Sequence, residues 1–62
     1  MIETNDQLRS RMIRRLEAEA NDRLNEGLWL RAHQLLSEAD QWRQAKGKTL
    51  GRLVAAARRA RS

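Results

Sequence analysis

The chain has 62 residues, no cysteine and one histidine, which excludes a disulfide framework and leaves too few soft ligands for a structural zinc site. Proline, phenylalanine and tyrosine are absent, and the common residues are good helix formers, so the composition is that of an all-α protein. Thirteen basic residues against eight acidic ones give a net charge of +5, which points to anionic rather than cationic partners.

The first helix is expected over residues 5–25. Thr4, Asn5 and Asp6 are each suited to cap it. Leu8, Met12, Ile13, Leu16, Ala20 and Leu24 form its apolar stripe, which drifts slowly because 3.6 residues make a turn. Arg9 and Arg23 sit at the stripe's edges, where their stems can lie on apolar surface while the heads reach water. Arg15, Glu19 and Arg23 form an i, i+4 series. Arg11, Arg14 and Arg15 are expected to point outward, balanced by nearby acids.

Gly27 is placed to end this helix in a left-handed conformation, leaving a short connection. Two helices joined so tightly are expected to pack as an antiparallel hairpin. The second helix is expected over residues 28–46. Leu28, Ala32, Leu35, Ala39 and Trp42 recur at alternating spacings of four and three, the period of an amphipathic helix. Leu36 widens this stripe and Trp29 lies at its edge, so both tryptophans are assigned to the core or a subunit interface. Arg31, Gln34, Glu38 and Gln41 fall opposite, and Leu30 is out of pattern.

Gly47 repeats the helix stop, and Thr49 is expected to cap a third helix over residues 50–61. Leu50, Leu53, Val54 and Ala57 mark its apolar side; Lys48, Arg52 and Arg59 lie opposite, with Arg58 and Arg61 flanking the stripe. Residues 47–62 hold five basic residues and no acid, whereas residues 1–27 hold five basic and six acidic ones. The positive excess therefore belongs to the last helix, a footprint suited to phosphates, an acidic protein surface or an anionic membrane.

Gly27, Trp29, Ala32, Leu36 and Ala39, with Ala20 in the preceding helix, resemble one tetratricopeptide repeat. The resemblance covers about half the chain in a single copy, with Glu19 where a leucine is usual and no closing proline. It implies a close helical hairpin and a role in protein–protein binding.

Other constellations have plainer explanations. Gly47-Lys48-Thr49 matches the end of a phosphate-binding loop, but Trp42 stands where that motif needs glycine, and a helix precedes it instead of a strand. His33, Ser37 and Asp40 share one helix face, yet residues one and two turns apart supply no oxyanion hole or oriented imidazole. No catalytic residue, metal or cofactor is expected.

The chain as a whole, residues 1–62, is expected to be one small all-α domain: a helical hairpin plus a basic C-terminal helix. A chain this short buries only about 60% of its unfolded surface, so a homodimeric bundle is expected. No apolar run approaches the ~20 residues of a membrane span, and no signal peptide precedes the first charge, so a cytoplasmic location is expected. The functional expectation is a small non-enzymatic regulatory or accessory protein. It would bind nucleic acid through Lys48, Arg52, Arg58, Arg59 and Arg61. The competing expectation is an adaptor or inhibitor that binds an acidic protein through the hairpin and basic tail.

Overall fold

Of the three candidate caps ahead of the first helix, the chain uses Thr4. Its hydroxyl accepts from the Gln7 amide at 3.1 Å, and the Gln7 side chain accepts from the Thr4 amide at 2.9 Å. This reciprocal box satisfies two backbone donors that the first turn leaves open. The computed structural model describes residues 2–61, with the side chain of Arg61 outside the described set. Three helices follow in order, α1 (Asn5–Asn25), α2 (Trp29–Gln44) and α3 (Gly47–Arg61), with no strand among the described residues.

Gly27 stops α1 as its position suggests. At φ +80° it lets the Leu28 amide reach back to the Arg23 carbonyl at 2.8 Å and its own amide to Leu24 at 3.0 Å. These are the two bonds of a Schellman motif, and they satisfy carbonyls that the helix end would otherwise leave open.

The core is entirely apolar: Leu8, Leu16, Ala20, Ala32, Leu35, Ala39, Trp42, Ala45, Leu50 and Val54. Four of these ten are alanines, so α1 and α2 meet through small side chains and can pack toward the close end of the usual ~8–10 Å range. Across this contact Arg43 pairs with Glu17, and Arg9 donates to the Ala45 carbonyl at 3.3 Å. Arg23 pairs with Glu26 at 2.8 Å, leaving Arg15 and Glu19 as the i, i+4 pair, at 3.9 Å.

The buried stripe of α2 is narrower than its sequence suggests. Trp42 is only 6% exposed and belongs to the core, but Trp29 is 75% exposed and lies outside it, which leaves the interface half of its assignment. Leu24, Leu28 and Leu36 are also exposed, and Leu30 is exposed as its phase predicts. Leu28 drops out because it precedes the first helical residue: its backbone (φ −89°, ψ 71°) is not helical and does not carry the stripe's phase. Leu36 and Trp29 lie about 80–100° from the centre of the buried face at ~100° per residue, too far round to reach α1.

The second junction also differs from expectation. α2 ends at Gln44 instead of 46, and α3 starts at Gly47 instead of 50. Gly47, at φ +54°, turns the chain at once, and the Lys46 carbonyl already accepts from the Thr49 and Leu50 amides. Thr49 therefore lies inside α3 and does not cap it. α3 packs chiefly on α1 and only weakly on α2. A groove of about 530 Å³ opens between them, floored by Leu8, Met12, Leu16 and Leu35. No helix among the described residues is long and apolar enough to cross a membrane.

Candidate nucleic-acid interface

The side of α3 that faces away from α1 is set by Leu50 and Val54, which are buried, and Leu53 and Ala57, which pack on the core. At about 100° per residue, Lys48, Arg52 and Arg59 fall within roughly 40° of one another on the opposite side. All three are exposed. Ala55 and Ala56, also exposed, lie between them, so short side chains separate the long cationic ones. From Lys48 to Arg59 the helix rises about 16 Å, a length over which duplex DNA presents several phosphates.

The five expected cations are not equivalent. Lys48 and Arg52 have no hydrogen bond or ion pair among the described residues. Arg59 lies on the same face but interacts within the protein. Arg58 sits round toward the core side and donates to the Glu3 carbonyl at 3.1 Å, so it moors α3 to the start of α1. The side chain of Arg61 lies outside the described residues.

Lys46 is exposed just before α3 and also lacks a partner among the described residues. Sequence reasoning placed it in the last turn of the second helix and so left it out of the basic group. Its signal was its position one residue before the glycine that starts α3. Together Lys46, Lys48 and Arg52 form the cationic end of the helix, with no acid anywhere in residues 47–62.

Elsewhere the cations are mostly paired. Glu3 holds Arg11 through two bonds, at 2.9 and 3.0 Å. That hydrogen bonding, helped by the carboxylate's charge and opposed by partial desolvation, raises the Arg11 pKa above its ordinary value. Arg14 is exposed and without a partner among the described residues, so the expected balance of outward arginines on α1 holds for Arg11 and Arg15 but not for Arg14.

His33, Ser37 and Asp40 lie exposed along α2, and Asp40 accepts from the Gln44 side chain at 2.8 Å. Among the described residues no three His, Cys, Asp or Glu side chains gather closely enough to hold a metal ion. No protein-family model, curated protein or solved structure matches the chain.

Proposed function

We propose that this chain is a small non-enzymatic regulatory or accessory protein that binds nucleic acid through the exposed side of α3. The observation that carries the reading is the unpartnered pair Lys48 and Arg52, one helical turn apart on a face with no carboxylate. A cation already paired with a carboxylate gains little from a phosphate, because it must give up one anion for another. An unpaired one releases condensed counterions from the nucleic acid at no such cost. The ties of residue 17 to 43 and of residue 9 to 45 support reading α1 and α2 as an antiparallel hairpin, the platform on which the basic helix is presented.

Fluorescence anisotropy with labelled duplex DNA and RNA over a salt series tests this. Affinity should fall steeply with salt, and Lys48→Gln with Arg52→Gln should flatten the log–log slope by about 2. Absence of binding to either duplex at low salt removes the reading. The adaptor reading, with an acidic protein partner for the hairpin and basic tail, then takes its place.

A further inference from the structure

The described residues hold six large apolar side chains that are exposed, as many as the six large ones in the core. Five of the six exposed ones belong to one end of the molecule. Leu24 lies in the last turn of α1; Leu28, Trp29 and Leu30 surround the start of α2; and Leu36 follows Trp29 two turns along the same side. Single exposed apolar residues are ordinary on a monomer, but five large ones within residues 24–36, on the two sides of one turn, are a concentration.

We infer that this apolar end is the docking surface for a second copy of the same chain. The exposed area supports that occupant. The chain exposes 4981 Å². A compact monomer of its mass is expected to expose about 4,100 Å². The excess is close to the roughly 800 Å² that each partner buries in a standard stable interface.

Charge selects a like copy over an acidic or basic partner. Residues 21–36 hold Asp22 and Glu26 against Arg23 and Arg31, so the apolar end is neutral while α3 is strongly basic. A two-fold interface brings the same patch against itself, which a neutral patch permits and a charged one opposes. The basic helices do not stand in the way. α3 is moored at Glu3, before α1, whereas the apolar end lies beyond the last turn of α1. Trp29 is the natural centre of such a contact, because large aromatic side chains supply most of the energy in interface cores. The groove between the helices is less suited to a copy of itself, since Arg15, Glu19, Arg31 and Glu38 line it. The inference does not depend on what α3 binds.

Sedimentation equilibrium between about 5 and 500 µM reads the association directly, and NMR dilution of the intact protein locates it. The expected result is a monomer–dimer equilibrium in which the Trp29 indole signal shifts with concentration and the Trp42 signal does not. Trp29→Glu or Leu30→Glu should weaken the dimer roughly thirtyfold or more, because each change occurs twice in a two-fold interface. Circular dichroism of the variants should show that the helices persist, since both side chains are exposed in the single chain. A monomer throughout the range overturns the inference. So does a dimer that both variants leave intact, or one whose formation leaves the Trp29 signal unmoved.

Discussion

A methyl group added at Gly27 would meet no atom within 4 Å, and the same is true at Gly51. Space therefore decides nothing at either position, and the backbone decides everything. Gly27 is held at φ +80°, so Gly27→Ala should destabilise by about 1–2 kcal/mol. Gly51 lies inside α3 without a positive φ, so Gly51→Ala should stabilise by about 0.5–1 kcal/mol. Thermal melts followed by circular dichroism should thus move in opposite directions. Trp42→Ala should cost about 3–5 kcal/mol in a denaturant titration, enough to unfold a small domain. Trp29→Ala should leave the dilute monomer nearly as stable as before. The difference between the tryptophans was only half legible. The run Ala32, Leu35, Ala39, Trp42 fixes the centre of the buried face, but how far round α2 that face extends depends on α1's reach. That reach is short because Ala20, Ala32 and Ala39 draw the helices close along a narrow seam.

The helices themselves were readable from periodicity, and the end of α1 from Gly27, a local stop signal; the choice of Thr4 over Asn5 and Asp6 as cap came only with the reciprocal bonds to Gln7. The start of α3 was not, because a glycine after a helix can end one element or begin the next; Gly47 begins α3, while α2 has already stopped at Gln44, where Ala45 turns extended. The narrow seam between α1 and α2 has its own consequence. Ala39 is fully buried, so Ala39→Leu should overpack the contact and cost about 1–3 kcal/mol, measured by denaturant midpoint. Within α3 two arginines should separate cleanly. Arg58→Gln breaks the bond to the Glu3 carbonyl and should lower the melting temperature while barely changing the salt slope of nucleic-acid binding. Arg52→Gln should flatten the slope by about 1 and leave the melt alone. Sequence put Arg52 opposite the apolar stripe and Arg58 beside it, but not the bond of Arg58 to a carbonyl 55 positions away.

At the scale of the whole molecule, the contacts that hold α3 differ in kind from those that join α1 and α2. The first two helices are linked by a three-residue turn and can find each other early, since short loops close fast and cost little entropy. α3 is held to α1 far more sparsely than α2 is, and its docking follows the pairing that brings Ala45 beside Arg9. Such an element is expected to dock last and to open first. Native-state hydrogen exchange should therefore find the amides of α3 exchanging through partial openings while those at the centre of α1 and α2 wait for global unfolding. Equal protection across all three helices would show one cooperative unit instead. If α3 does open alone, the chain spends part of its time as a folded pair of helices with a detached basic segment. A strand of phosphates could then capture that segment before it refolds, and the rate of capture would be set by how often the helix lifts from α1.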